Sequence, residues 1–145
     1  MVDNPVVNKS SFKVDPEGNY ELEPHDVEAG SMPVLVFRNS EMAVYAVRVT
    51  HGAFPALAWR VEMGGKRIAF SGDTNGEGDG LTQLALDADL FVAHNAVPED
   101  ATGVERRLHM PPSVIGMLRM LMSSDWYCRI ECCGLLERRM RHKRK

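Results

Sequence analysis

Residues 66–80 read Lys66-Arg67-Ile68-Ala69-Phe70-Ser71-Gly72-Asp73-Thr74-Asn75-Gly76-Glu77-Gly78-Asp79-Gly80, and their order decides the fold. A short β-prone run around Ile68 and Phe70 stops at Ser71. Four glycines then fall within residues 72–80, a density that marks a loop at a strand end, where backbone can come close to a ligand. Beyond the loop, Leu81, Leu84, Ala85 and Ala88 recur at i, i+3, i+4 and i+7. That is one apolar helical stripe, with Asp79 placed as its N-cap. Residues 89–93 read as a buried strand ending at His94. Strand, loop, helix and strand alternate here as they do in layered α/β structure.

Upstream of this unit, residues 34–38 and 42–50 read as strands joined by the polar turn Asn39-Ser40-Glu41, a hairpin. A second pair, 57–63 and 67–71, encloses Gly64-Gly65, which supplies the positive φ that a tight hairpin turn needs. Downstream, residues 98–108 read as a polar, mobile connection. Pro111-Pro112-Ser113 opens a further helix with Ser113 as its cap and Val114, Met117, Leu118 and Leu121 as its stripe. Met117, Met120 and Met122 fall at helical spacing and read as core filling rather than as an adaptable binding groove. Three segments result: an irregular N-terminal arm over 1–33, a folded domain over 34–122, and a divergent basic tail over 123–145. Within that tail residues 126–133 read as one strand. No internal repeat is present.

Composition sets the class. A chain of 145 residues with 44% hydrophobic and 26% charged residues suits one small globular domain, and excludes collagen-like and fully disordered chains. Its apolar runs, such as 34–37 and 120–122, fall far short of the roughly 20 residues that a spanning helix needs. The N-terminus has no basic region followed by an apolar stretch and a small-residue cleavage site. A soluble, cytoplasmic chain without a membrane partner is expected. Net charge is −3, but residues 105–145 hold ten Lys/Arg against four Asp/Glu, which leaves residues 1–104 at −9. The run Arg138-Arg139-Met140-Arg141-His142-Lys143-Arg144-Lys145 reads as a solvated tail, with contact to nucleic-acid phosphates as the alternative.

Cys128, Cys132 and Cys133 form no C-x-x-C pair and are odd in number, so they read as reduced thiols rather than a disulfide framework. With His142 they lack the paired spacing of a zinc knuckle. The chemistry-bearing residues lie elsewhere. Asp73, presented beyond a strand tip on a glycine-supported loop, reads as a ligand for a hard or borderline cation; capping of the loop's own amides is the structural alternative. His51 directly follows a strand and is separated from Asp73 by one hairpin, so both reach the same rim of a sheet. His94 and His109 complete a set of four polar residues at strand ends and in adjoining loops.

These residues sit within a longer ordered pattern: Val49-Thr-His-Gly-Ala-Phe-Pro-Ala-Leu-Ala-Trp-Arg-Val-Glu62, then Gly65-Lys-Arg-Ile-Ala-Phe-Ser-Gly-Asp-Thr74, then Asp87-Ala-Asp-Leu-Phe-Val-Ala-His-Asn-Ala96, then His109-Met-Pro-Pro112. The pattern resembles the C-terminal half of the metallo-β-lactamase superfamily, closest to its ribonuclease Z and arylsulfatase-like branch, over roughly residues 34–118. The resemblance implies an α+β fold: part of a four-layer αββα sandwich, with one mainly antiparallel sheet and flanking helices. It implies His51 and Asp73 as zinc ligands, Asp73 bridging two ions. It implies catalytic roles for His94 and His109, the latter donating a proton to the leaving group. The reaction implied is hydrolysis of an ester or phosphodiester by metal-activated water. Where the branch carries His-Glu-Ala-Thr, this chain reads His94-Asn95-Ala96-Val97, so Asn95 replaces a carboxylate that helps orient the catalytic histidine.

The departures carry expectations of their own. The superfamily's His-x-His-x-Asp-His string occurs nowhere in the sequence, and no histidine lies in 127–133, where the last ligand belongs. A truncated, split or frameshifted gene gives this pattern. With two family ligands, zinc is expected to be held weakly and hydrolysis by the isolated chain to be slight. Half of a sandwich also exposes one sheet's inner face. The alternative to an enzyme is therefore a non-catalytic fragment or subunit that needs a partner, either the missing N-terminal half or a second copy in a homo-oligomer. A phosphate-binding module built on residues 72–80 is the weakest reading, because no G-x-x-x-x-G-K motif is present.

Overall fold

The computed structural model describes residues 12–14, 20–22, 26–120 and 127–131, with side chains over 26–120. Two short strands, β1 (Phe12–Val14) and β2 (Tyr20–Leu22), pair antiparallel within the stretch expected to be irregular. The main sheet runs in the order β3 (Val34–Arg38), β4 (Met42–His51), β5 (Phe54–Met63), β6 (Lys66–Phe70), β7 (Leu90–His94) and β8 (Tyr127–Glu131). The pairings from β3 to β6 are antiparallel, and β6, β7 and β8 run parallel. Helix α1 (Asp79–Ala85) lies between β6 and β7, and helices α2 (Gly103–Leu108) and α3 (Pro112–Arg119) lie between β7 and β8. This is the expected α+β arrangement, with a sheet more mixed than its antiparallel first half suggests.

Local chemistry explains the joints. Asn39 closes the β3–β4 turn by accepting the backbone N–H groups of Glu41 and Met42 on its side-chain oxygen, at 2.9 and 2.8 Å, an Asx turn. At the other end of β4, Gly52 takes φ 61° and lets β4 turn directly into β5, so His51 pairs with Phe54. Asp89 fixes the start of β7: its carboxylate accepts from Lys66 Nζ at 2.7 Å and from the Arg67 backbone N–H at 2.9 Å. Those two bonds, the Lys66 ammonium first, hold its carboxyl below the usual carboxylate range.

One face of the sheet carries the core. Val47 and Val49 of β4, Ala58 of β5, Ala69 of β6 and Phe91 and Ala93 of β7 pack against Leu81, Leu84 and Ala85 of α1, together with Ala88, Met110, Ile115 and Leu118. The small alanines on the strands let α1 approach the sheet closely. Gly80 shows how closely: a Cβ there would lie 2.8 Å from Val47 and 3.0 Å from the Ser31 carbonyl oxygen. Arg60 spans the edge of this layer, its guanidinium 4.6 Å from the centre of the Tyr45 ring and donating to the Leu84 carbonyl at 3.2 Å.

The opposite face is apolar too. Because side chains alternate along a strand, the register sets two rows across it: Val34, Ala46, Trp59, Phe70 and Val92, and beside them Phe37, Val44, Val61, Ile68 and Leu90. A sheet buried on one side only shows polar residues on the other; this one carries the two apolar rows across its middle, with the exposed Arg48 and Thr50 further along β4. Phe37 is 42% exposed and Phe70 38%. Apolar rows on both faces suit a sheet that is covered on both sides, as an inner layer of a sandwich is.

Several expectations need correction. Helix α1 is capped by Gly78, with Asp79 inside its first turn, because the glycine-rich loop enters at φ 87°. Helix α3 starts two residues early, with Pro111 at the cap and Pro112 inside the first turn. Ser113 instead donates its backbone N–H to Glu99 Oε2 at 2.9 Å, where a carboxylate complements the helix dipole. The connection expected over 98–108 contains α2. Met117 and Met120 do not fill the core: they are 62% and 85% exposed, while Ile115 and Leu118 provide the buried side of α3. Leu121, Met122, Cys132, Cys133, the basic run from Arg138 and His142 lie outside the described residues, as does the Cys128 side chain. Among the described residues no helix is long and apolar enough to cross a membrane.

Candidate functional site

The topology gathers the site. Strand β4 runs in the same direction as β6 and β7, since two antiparallel pairings separate β4 from β6 and a parallel one joins β6 to β7. Their C-terminal ends therefore share one edge of the sheet, where open sheets of this kind bind ligands. His51 ends β4, Ser71-Gly72-Asp73 follows β6, and His94 ends β7. His109 is delivered to the same edge by α2, whose C-cap it forms, with its backbone N–H bonded to Glu105 O at 2.9 Å.

Backbone conformation aims Asp73. Gly72 sits at φ 59°, and a Cβ on it would lie 2.4 Å from the Leu57 carbonyl oxygen. Only glycine lets the chain turn so sharply against β5. Ser71, fully buried, joins the tips of β6 and β7: its backbone N–H donates to Val92 O and its hydroxyl accepts the His94 N–H, both at 3.0 Å. The hydroxyl proton goes to Gly72 O at 2.8 Å. A second set of bonds ties the loop to β4 and α2. Asn75, 3% exposed, donates its backbone N–H to Thr50 O at 2.9 Å and accepts from Arg106 on its carbonyl at 3.3 Å.

All four residues expected at the site come together. Asp73 Oδ1 lies 2.5 Å from His94 Nδ1. The His94 and His109 ring centres are 5.4 Å apart and nearly perpendicular, and those of His51 and His109 are 5.1 Å apart. Asp73, His94 and His109 present ligand atoms within 4.8 Å of one another. His51 stands beside this trio: its Nδ1 is 3.0 Å from the Leu108 carbonyl oxygen. A carbonyl can only accept, so Nδ1 is the donor, and the neutral form of His51 has its lone pair on Nε2.

Electrostatics suits a cation. Burial first, then the neighbouring His51 and His94, hold the His109 pKa below its usual value, against the opposing pull of Asp73. His109 is thus neutral near pH 7, the form in which imidazole binds metals. Its Nδ1 is buried and has no hydrogen-bond partner among the described residues. A buried acceptor or donor left so is costly, and a cation shared with Asp73 and His94 would relieve it. Imidazoles and a carboxylate are also the donor types that zinc takes. The residues present fit such an ion.

The supports of these four residues carry little signal in the sequence. Ser71 was visible in its tetrapeptide, but its bond to His94 depends on β6 and β7 being neighbours. Arg106 and the Leu108 carbonyl gave no signal, because α2 itself was not expected.

In structure the chain is similar to human tRNase Z, short form, with a TM-score of 0.56 and 25% identity over 63% of this chain and 36% of that one. It is also similar to the metallo-beta-lactamase fold protein YhfI from Bacillus subtilis, with a TM-score of 0.49 and 17% identity over 61% of this chain and 34% of that one. The chain spans about a third of the length of each. No family model matches the sequence, and no curated protein matches it.

Proposed function

We propose that this chain, whose fold is that of the metallo-β-lactamase superfamily, provides the C-terminal half of a zinc-dependent hydrolase for phosphodiesters or other esters. The observation that carries the reading is the convergence of Asp73, His94 and His109 within 4.8 Å at one sheet edge, with His51 alongside. Similarity to a tRNase Z makes a phosphodiester in nucleic acid the first substrate class to try.

Asp73 and His51 are the proposed ligands, and His94 and His109 the proposed substrate-side residues. The donors of His94 and His109 are near enough to Asp73 to join the same ion. A bound zinc supplies an acidified water and a positive charge for oxygens that become negative during hydrolysis. Asp73 contributes the fixed negative charge that balances the cation. His51, with its tautomer set by Leu108, presents Nε2 and no other lone pair. His109, neutral near pH 7, takes up a proton before giving one to a leaving oxygen, as a single group acting as base and then acid. The test is zinc per purified chain, read together with hydrolysis of bis-p-nitrophenyl phosphate. Bound zinc with turnover supports the enzyme; no zinc and no turnover removes it.

A second reading has its own observation. The rows through Trp59 and Phe70 and through Val61 and Ile68 are apolar, yet Phe37 and Phe70 remain substantially exposed. A partner chain that covers this face would complete the sandwich and supply the missing His-x-His-x-Asp-His ligands. Mass in solution by light scattering, alone and after mixing with a chain that carries that motif, separates this subunit reading from a self-sufficient enzyme.

A further inference from the structure

Resting on the proposed metal centre, we propose that Asn95 is a positioning residue: its side-chain amide sets the separation of the His94 and His109 rings. Asn95 directly follows His94 at the end of β7. Its Nδ2 donates to the carbonyl oxygen of Met110, the residue directly after His109, at 3.2 Å, and to that of Val97 at 3.3 Å. One bond links the chain that bears His94 to the chain that bears His109, 15 residues apart. The other stiffens the turn from which it is made.

The two contacts of Nδ2 ask for a donor. Both of these acceptors are carbonyl oxygens, so the Nδ2 side of the group must offer two hydrogens. An amide does so; a carboxylate places like charges against both oxygens. A carboxylate in place of Asn95 could not make these two contacts. Met110 is fully buried, so its carbonyl oxygen gains a donor that water would otherwise have to provide. His109 is thereby fastened on both flanks: Leu108 O faces His51 Nδ1 and Met110 O accepts from Asn95. The ring between them has its centre 5.4 Å from that of His94, and its neighbours' backbone holds it where its own Nδ1 makes no hydrogen bond among the described residues.

Two readouts on the full chain test this. The first is the proton NOE between the His94 and His109 rings in metal-free protein. The second is affinity for cobalt(II), followed by its visible ligand-field spectrum. Asn95→Asp and the near-isosteric Asn95→Leu are expected to lose the ring-to-ring NOE while keeping the amide spectrum of the fold. Both are expected to bind cobalt about tenfold more weakly, the scale on which supports behind metal ligands act. Asn95→Gln, which keeps both N–H groups, is expected to keep the NOE. Should Asn95→Asp fail to fold, Asn95→Leu decides, since it adds no charge. A wild-type NOE and wild-type cobalt affinity in Asn95→Leu would overturn the proposal. If the wild-type chain binds no cobalt, the metal centre falls, and the NOE comparison still decides the role of Asn95.

Discussion

His51 Nδ1 lies 3.0 Å from the carbonyl oxygen of Leu108, a residue 57 positions away, so the last residue of β4 and the last residue of α2 are joined at the edge of the sheet. The bond does two things at once. It selects the tautomer of His51, and it holds the backbone that leads into His109. His51→Ala is expected to cost about 1 kcal/mol of stability, the usual net worth of such a bond, read from the urea midpoint. It is also expected to reduce zinc affinity. A variant with unchanged midpoint and unchanged zinc content would show that the contact is incidental.

Asp73 is the one anionic group among the converging donors. Asp73→Ala is therefore expected to abolish zinc binding, measured as metal per chain after dialysis. Its side chain is half exposed, so the fold should survive, as circular dichroism would show. Full zinc content in a folded Asp73→Ala protein would sink the metal assignment.

The lowered pKa of His109 fixes a direction for pH. In the unfolded chain the group titrates near its ordinary 6.5; in the fold it is held lower, chiefly by burial. Above 6.5 both states are neutral and the group contributes nothing. As pH falls through that value the unfolded chain takes the proton first, so stability declines until the folded-state pKa is also passed. With metal removed by chelation, the urea midpoint is expected to drop between pH 7.5 and 5.5, and His109→Gln to flatten that drop. An equally steep profile in the variant would assign the effect elsewhere.

The apolar rows on the far side of the sheet predict association. Phe70 is 38% exposed in the middle of one row, between Trp59 and Val92. Phe70→Glu is expected to shift a self-associating or aggregating preparation toward monomer in light scattering, with zinc content unchanged, because Phe70 lies outside the donor set. If wild-type protein and variant have the same mass, this face does not drive self-association.

Much of this was legible in the sequence, for a physical reason. The hairpins, α1 and the β6–loop–α1–β7 unit are set by periodicity within short windows, and the helical stripe Leu81, Leu84, Ala85, Ala88 is buried as its spacing demands. What stayed hidden depends on contacts between distant segments. Helical spacing places Met117 on the same side as Leu118, but only the position of α3 on the sheet decides that Ile115 and Leu118 are covered and Met117 is not. The same holds at the site. Four polar residues could be named from their positions at strand ends and in adjoining loops, yet the 2.5 Å approach of Asp73 to His94 follows from β6 and β7 being parallel neighbours tied by Ser71. Ser113 misled because a serine after two prolines is a familiar cap, while the partner that replaced it, Glu99, lies 14 residues away.

Two glycines separate the cost of a backbone conformation from the cost of a close approach. Gly64 and Gly72 share nearly the same φ, 58° and 59°. A Cβ at Gly64 meets nothing within 4 Å, whereas one at Gly72 would lie 2.4 Å from the Leu57 carbonyl oxygen. Gly64→Ala is expected to lose about 1 kcal/mol, the penalty of placing an L-residue in the left-handed region. Gly72→Ala bears the same penalty and must also push the loop away from β5, a fixed backbone neighbour that cannot yield. Its loss should exceed that of Gly64→Ala by about 1 kcal/mol or more, and because Asp73 is the next residue, zinc affinity should fall with it while Gly64→Ala binds normally. Equal urea midpoints and equal zinc affinity for the two variants would mean that the turn at Gly72 relaxes freely and does not aim Asp73.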